Sequence, residues 1–146
     1  MSIETVRELS DSQFDDLQRL YGSYISWQDR GPEEIRSAIE HSDEVVGLCE
    51  AGNGTLIACA RILTDYVYYA TVYDVVVSET RRRRGLGTRL IEEVIDRPPI
   101  ESVDLYLGSR DGLVPFYENC GFEMRATTIE LEDRDEDLHS MVYRRR

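Results

Sequence analysis

The apolar residues near the start of this chain follow the spacing of a helix. From Phe14 to Tyr21 they lie on one helical face, and the capping-box pattern Ser10 to Gln13 comes directly before them. This combination predicts a helix of about 12 residues, preceded by a short strand over residues 3–9. A second helix is predicted to begin at Gly31-Pro32, because proline is well tolerated at the first position of a helix.

The middle of the chain is rich in strands and then returns to the helical period. Segments dense in Val, Ile, Leu and Tyr predict strands over residues 44–50, 55–64 and 71–78. Gly52-Asn53-Gly54 predicts a hairpin turn between the first two of these strands. From Gly85 the apolar residues again mark one face of a helix, which Pro98-Pro99 ends.

The C-terminal part continues this alternation. A strand over residues 102–107 is followed by a short helix over residues 111–119, which Asp111 caps and Gly121 ends in the left-handed conformation. The last two strands are predicted over residues 122–131 and 138–143. The resulting order, β-α-α-β-β-β-α-β-α-β-β, predicts one α/β domain over residues 1–146, built on a mixed sheet.

The net charge of the chain bears on which partners it can bind and where in the cell it is found. Among 146 residues, 29 are acidic and 17 are basic, which gives a net charge of -12. A negative field repels phosphate backbones and anionic membranes, so we expect no nucleic-acid partner and no membrane association. The acidic, amphipathic start is unlike a signal peptide, and the apolar runs are far shorter than the roughly 20 residues of a membrane helix. We therefore expect a cytoplasmic protein.

Every basic residue other than histidine is an arginine, since the sequence contains no lysine. An acidic, lysine-free surface suits a halophilic source, whose salt-rich cytoplasm screens the repulsion between like charges. A GC-rich genome that favours arginine codons is the alternative explanation, although it does not account for the 29 acidic residues.

The cysteines and histidines show no spacing typical of a metal site. Cys49, Cys59 and Cys120 form no CxxC pair, and His41 and His139 lie far apart in the sequence. An odd number of cysteines also gives no disulfide framework. We expect these residues to be ordinary core or surface positions, with no bound metal.

The segment richest in candidate chemistry joins a strand to the helix after it. The strand ends over Tyr73 to Val77, and Arg82-Arg-Arg-Gly85-Leu-Gly87-Thr88 forms the turn and the start of the helix. A helix N-terminus presents unpaired N–H groups and about half a positive charge, and glycine lets an anion approach the backbone. The segment therefore predicts a diphosphate site; the alternative is a solvated, arginine-rich turn that only starts a helix.

A second motif follows on the next predicted helix. Phe116-Tyr117-x-x-x-Gly121-Phe122 comes one strand after Arg82-x-x-Gly85-x-Gly87. Together the two motifs resemble the GNAT (GCN5-related N-acetyltransferase) superfamily, and the order of elements agrees over the whole chain. The segment from Leu113 to Tyr117 is also similar to that of arylalkylamine acetyltransferases. The stretches Ala60 to Asp65 and Asp74 to Val77 resemble a small prokaryotic branch of mostly unassigned acceptor.

The resemblance implies a fold, a cosubstrate and a reaction. It implies a single-domain GNAT-like fold, with helices on both faces of a mixed central sheet, that transfers an acetyl group from acetyl-CoA to an amine. The acceptor would be a small molecule or a protein amino group. Acetyl-CoA is expected to contact the strand backbone at Val75, Val76 and Val77. Its pyrophosphate is expected on main-chain N–H groups of Arg82, Arg83, Arg84, Gly85, Leu86, Gly87 and Thr88. The arginine side chains of this run alternatively face solvent or pair with glutamates.

The resemblance also assigns the proton donor and leaves the base open. Tyr117 stands at the family's general-acid position, where it would protonate the departing thiolate; core packing is the alternative role. The position aligned with the base of many members is Tyr73, and Asp74 would lie on the opposite face of a regular strand. Tyr73, Asp74 and a water chain to a surface carboxylate remain candidate bases. Arg110 replaces an asparagine that often contacts the cofactor in the family.

Other interpretations stay open beside these. Tyr21, Tyr24 and Trp27 come from the region that walls the acceptor cleft in this family, where aromatic rings suit a hydrophobic or cationic acceptor. Packing of the first helix is the alternative role for these rings. For the whole protein, the competing hypothesis is a catalytically silent acyl-CoA-binding module or sensor. A homodimer is one assembly that we consider for it.

We predict that salt stabilises this protein and weakens its binding of acetyl-CoA. The Debye length falls from about 30 Å at about 0.01 M salt to about 3 Å at about 1 M, so KCl should screen the repulsion among acidic side chains. The thermal unfolding midpoint should rise over this range, mostly at the lower concentrations. Acetyl-CoA affinity should fall, because its phosphates are attracted to arginines. Equal midpoints at both salt concentrations would favour codon bias instead.

Overall fold

A seven-stranded sheet runs through the part of the chain that a computed structural model describes, residues 2–80, 85–129 and 138–145. Of residues 126–129 only the backbone is described. The strands are β1 (Ile3–Val6), β2 (Glu44–Glu50), β3 (Leu56–Thr64), β4 (Ala70–Val77), β5 (Leu105–Arg110), β6 (Glu123–Ile129) and β7 (Leu138–Tyr143). The helices are α1 (Asp11–Gly22), α2 (Pro32–Glu40), α3 (Leu86–Ile95) and α4 (Val114–Asn119), with 3₁₀ turns over Pro98–Ile100 and Asp111–Leu113. The predicted α/β class with a mixed sheet is confirmed.

The pairing of β4 with β5 sets the shape of the molecule where the site lies. The strand order is β1-β2-β3-β4-β5-β7-β6, and β4 and β5 are parallel whereas the other neighbours are antiparallel. Ala70 opposes Leu105 and Thr71 opposes Tyr106, and the pairing stops there. Beyond Thr71 the two strands separate, which opens a wedge in the middle of the sheet.

The helices cover both faces of the sheet, as the sequence predicted. The side chains of Val45 and Val76 pack with α1 and α2 on one face, whereas Val46 and Val77 pack with α3 on the other. Neighbouring residues of one strand thus enter different cores, because successive side chains of a strand point to opposite faces. No helix in the described ranges is long and apolar enough to cross a membrane.

The predicted helix starts and turns are confirmed at three places. Ser10 Oγ accepts a hydrogen bond from the Gln13 N–H at 3.2 Å, and Gln13 Oε1 accepts one from the Ser10 N–H at 3.0 Å. Pro32 is the first residue of α2. In the hairpin turn, the Gly54 N–H donates to the Glu50 carbonyl at 2.8 Å. These elements depend on short-range contacts, which sequence patterns capture well.

Two predicted boundaries near the site are wrong. β5 begins at Leu105 rather than at residue 102, because the chain first turns: the Val103 N–H donates to the Ile100 carbonyl at 3.1 Å. Asp111 does not cap the following helix, since its carboxylate pairs with His139 Nε2 on β7. The last residues of the strand predicted over 122–131 lie outside the described ranges.

We predict that Gly121→Ala destabilises the fold by about 1–3 kcal/mol, because Gly121 needs a left-handed backbone that alanine disfavours. Its φ is +102°, and a Cβ there would lie 2.9 Å from the Tyr143 ring. The control is Gly22→Ala at the exposed end of α1, where an added Cβ meets nothing within 4 Å. Urea unfolding of both variants measures the difference, and equal free energies of unfolding would contradict the prediction.

Candidate active site

A bulge near the end of β4 begins the site. On β3, Cys59 and Arg61 are two residues apart, but their partners Val76 and Tyr73 are three residues apart. The extra residue accompanies a left-handed backbone at Asp74, whose φ is +54°. Aspartate tolerates this conformation better than most other residues. β4 is therefore not the regular strand on which the expected directions of Tyr73 and Asp74 depended.

Two arginines hold the carboxylate of Asp74. Arg30 Nη1 and Nη2 donate to its two oxygens at 2.8 and 3.3 Å, and Arg61 Nε donates at 2.8 Å. The Asp74 side chain is only 8% exposed. Burial works to raise the pKa of Asp74, but the hydrogen bonds and charges of Arg30 and Arg61 outweigh it, so the pKa lies below its ordinary value. A carboxylate in this state is a weak base, so the structure does not favour Asp74 as the proton acceptor.

Tyr73 is partly exposed to solvent on β4. Its side chain is 43% exposed, and the Arg61 guanidinium lies 5.4 Å from the ring centre. Together with Tyr69 and with Tyr106, Leu107 and Gly108 of β5 it lines a groove of about 570 Å³. Tyr117 is not among the residues that line this groove.

A cavity of about 370 Å³ lies at the mouth of the wedge. It is lined by residues of β4, the starts of α3 and α4, and the α1–α2 loop: Tyr24, Val75, Val77, Gly85, Gly87, Thr88, Leu113, Phe116 and Tyr117. The side chains of Val76 and Leu86, by contrast, are buried in the two cores. These two residues can therefore contact a ligand only through their backbone groups. Arg82, Arg83 and Arg84 lie outside the described ranges.

Glycine is favoured at positions 85 and 87 for different structural reasons. Gly85 precedes α3 with a φ of +72°, and a Cβ there would meet nothing within 4 Å, so the backbone conformation requires glycine. Gly87 lies in the first turn of α3, where a Cβ would come within 3.2 Å of the Phe116 ring. The N–H groups of this first turn have no partner within the helix, so they can bind an anion at the cavity.

Tyr117 combines packing with access to the cavity. Its side chain is 5% exposed and its ring packs edge-on against Phe116 and Phe122, with ring centres 5.0 and 5.8 Å apart. Burial raises the pKa of Tyr117 well above its ordinary value, so the hydroxyl stays protonated at neutral pH. The group can therefore donate a proton, and packing and proton donation do not exclude each other.

A second cavity, of about 180 Å³, continues from the first into the wedge. The two cavities share Tyr24, Val75, Leu113 and Tyr117. The second is lined further by Trp27 on the α1–α2 loop, by β4 and by the last residues of β5, of which Arg110 carries a charge. A ligand in the first cavity and one in the second would meet beside Tyr117.

The aromatic rings of the α1–α2 region are already occupied. The Arg30 guanidinium lies 5.0 Å from the centre of the Tyr21 ring and 5.1 Å from that of Trp27. A cationic acceptor would have to compete with this arginine for the same rings. The Tyr24 hydroxyl accepts a hydrogen bond from the Val77 N–H at 3.2 Å. Tyr24 thus binds the backbone of β4 at the edge of the wedge. Sequence analysis missed Arg30, because no local pattern links it to β4.

Comparison with known proteins decides the family. The sequence model of the Acetyltransferase (GNAT) family matches residues 3–122. This chain belongs to that family. It is 32% identical over 120 residues to Histone acetyltransferase TAP1 of Glycine max. This alignment covers 74% of this chain and 51% of that protein. It is 34% identical over 111 residues to Serotonin N-acetyltransferase 2, chloroplastic, of Oryza sativa subsp. japonica. This alignment covers 72% of this chain and 54% of that protein. The chain thus spans about half the length of these relatives.

Solved structures agree with the GNAT fold. An aminoglycoside 6'-N-acetyltransferase complexed with coenzyme A superposes with a TM-score of 0.77 at 15% identity, covering 97% of this chain and 96% of that one. The ribosomal-protein-S18-alanine N-acetyltransferase from Escherichia coli gives a TM-score of 0.78 at 20% identity, covering 99% and 96%. At such identities the likeness shows the fold alone, and it confirms the GNAT-like fold expected from the two motifs.

Proposed function

We propose that this protein transfers an acetyl group from acetyl-CoA to a primary amine of a small molecule or a protein. The observation that carries the proposal is the cavity in the wedge, which has the glycine turn of α3 among its walls and Tyr117 beside them. An anion site at the start of α3 and a proton donor on α4 thus face one space beside β4. Membership of the GNAT family and the names of the relatives, which are acetyltransferases, support the same activity.

The residues around the cavity fit acetyl-CoA. The first-turn N–H groups of Leu86, Gly87 and Thr88 would bind its pyrophosphate, because a helix N-terminus favours anions. The backbone of β4 near Val75 and Val77 has left the pairing with β5 and can bind an extended polar chain. Bound acetyl-CoA supplies a thioester, whose carbonyl carbon a neutral amine attacks.

The proton balance gives Tyr117 its role. The amine nitrogen forms a bond to the carbonyl carbon, the carbon–sulfur bond breaks, and the Tyr117 hydroxyl gives its proton to the departing sulfur. The amine loses one proton, which returns to Tyr117 through water, so the reaction is balanced. Because free alkylamines have pKa values near about 10, a proton must also be removed before attack. Asp74 is ion-paired, and Tyr73 lines neither of the two cavities that Tyr117 lines. We therefore propose that water carries this first proton to solvent.

The alternative is an acyl-CoA-binding module without turnover, which would use the same cavity. Tyr117 favours catalysis, because binding alone needs no proton donor beside the cavity. Release of free thiol from acetyl-CoA, measured with a panel of amines at low and molar salt, separates the two functions. Thiol release no faster than background with every amine would favour the module.

We also propose that the protein is cytoplasmic and binds neither nucleic acid nor membranes. The net charge of -12 and the absence of lysine support a salt-rich cytoplasm, without a nucleic-acid or membrane partner. A gel shift at moderate salt tests the first of these partners, and no retardation is expected.

We predict that Gly87→Asp abolishes the stabilisation of the fold by acetyl-CoA, because it places a negative charge where the pyrophosphate would bind. Binding to the folded state alone raises the unfolding temperature by mass action, so a thermal shift measures it. The control is Gly87→Ala, which adds the Cβ that crowds Phe116 but adds no charge. We expect Gly87→Ala to keep a shift. A normal shift in Gly87→Asp would mean that the pyrophosphate binds elsewhere.

We predict that Tyr117→Phe lowers kcat by about tenfold or more while acetyl-CoA binding stays unchanged, since general acids typically contribute about 10²–10⁴-fold. The substitution keeps the ring that packs against Phe116 and Phe122 and removes only the hydroxyl. Steady-state thiol release measures kcat, and the thermal shift with acetyl-CoA is the control for binding. Unchanged kcat over the whole pH range would leave Tyr117 with packing alone.

A further inference from the structure

The α1–α2 loop, residues 23–31, is tied to both strands of the wedge. On the β4 side, Arg30 binds Asp74 through both ends of its guanidinium group. On the β5 side, Arg110 Nη2 donates to the Ser26 hydroxyl at 2.6 Å. Trp27, between these two ties, lines the second cavity. The loop therefore bridges the open end of the wedge and forms one wall of the second cavity, in which we place the amine.

We propose that Arg30 and Asp74 are positioning residues, which hold the α1–α2 loop against β4 and so determine the affinity for the acceptor amine without taking part in proton transfer. This inference rests on the proposed function, since it concerns the acceptor end of that site. It assigns Asp74 a role different from that of the base, for which the sequence had made it a candidate.

The geometry of the pair supports positioning. A bidentate arginine–carboxylate pair fixes orientation as well as distance, which a single hydrogen bond does not. The same guanidinium packs on Tyr21 of α1 and on Trp27 of the loop. Arg30 thus connects the helix, the loop and the strand, and it can do so because the bulge places the Asp74 carboxylate between Arg30 and Arg61.

Arg61 provides a matched control. It binds the same carboxylate, through one hydrogen bond, but it belongs to β3 and not to the loop. Removing either arginine leaves Asp74 with one guanidinium partner, so both variants disturb the buried charge in a similar way. Of the two variants, only Arg30→Met removes a contact between the loop and β4.

The kinetic test compares Arg30→Met with Arg61→Met in thiol release. We expect Arg30→Met to raise the KM for the amine about tenfold or more, while kcat at saturating amine and the Kd for acetyl-CoA change by less than about two-fold. Arg61→Met should leave the KM for the amine within about two-fold of the original protein. Arg30→Lys keeps the charge but loses the fork, so we expect an intermediate KM, and this milder variant replaces Arg30→Met if the latter does not fold.

The pH profile separates positioning from proton transfer. Asp74→Asn tolerates the left-handed backbone and removes the charge. If Asp74 only positions the loop, this variant raises the KM for the amine and keeps the shape of the kcat profile with pH. Loss of the ionisation on the acid side of that profile would show that Asp74 is the base, and would overturn the proposal.

A second measurement does not require turnover. Trp27 is the only tryptophan of the chain, and it packs against Arg30, so its fluorescence reports on the loop. Acrylamide should quench Trp27 more strongly in Arg30→Met than in the original protein, and Arg61→Met should show no such increase. Unchanged quenching in Arg30→Met, or equal increases in both variants, would overturn the proposal. If the original protein releases no thiol with any amine, the proposed function fails, whereas the quenching result still decides whether Arg30 holds the loop.

Discussion

The early end of the pairing between β4 and β5 is the constraint on which the rest of the site depends. A strand inside a sheet normally satisfies its backbone groups through both neighbours, and groups left without a partner are costly when they are buried. Here β4 leaves β5 after Thr71. The polar backbone beyond this point then needs other partners, and the Tyr24 hydroxyl already provides one at Val77. The same unpaired backbone makes the wedge suitable for an extended polar ligand.

The surroundings of the wedge follow from this opening. The glycine turn before α3 brings N–H groups without a partner inside the helix to one end of the space, and α4 brings Tyr117 to its side. The α1–α2 loop closes the other end through its ties to β4 and β5. Each of these elements comes from a different part of the chain, yet all of them face the place where two neighbouring strands stop pairing. The two adjoining cavities meet at this place beside Tyr117, so a ligand in each would come into contact there.

The bulge at Asp74 shows how a local irregularity changes chemistry. In a regular strand, Asp74 would lie opposite Tyr73 and would have been a plausible base. With a left-handed backbone it instead lies between two arginines, and their charges keep it ionised. The pKa of the carboxylate thereby lies below its ordinary value, and the carboxylate gains two strong contacts. The sequence alone does not distinguish a regular strand from a bulge at Asp74. The contacts with the two arginines place Asp74 in ion pairs and do not favour it as a base.

The sequence by itself determined the α/β class, most of the elements and the two motifs of the family, because these depend on periodicity and on contacts over a few residues. Ser10 with Gln13, Pro32 and Gly121 act within one turn of the chain, so their patterns predict their conformations. Only the tertiary structure decided the surroundings of Asp74 and the place of Tyr73. Arg30 and Asp74 are 44 residues apart, and no spacing rule links them. Their contact arises because a bulge, a loop and a diverging strand meet in space, and such meetings depend on the packing of the whole sheet.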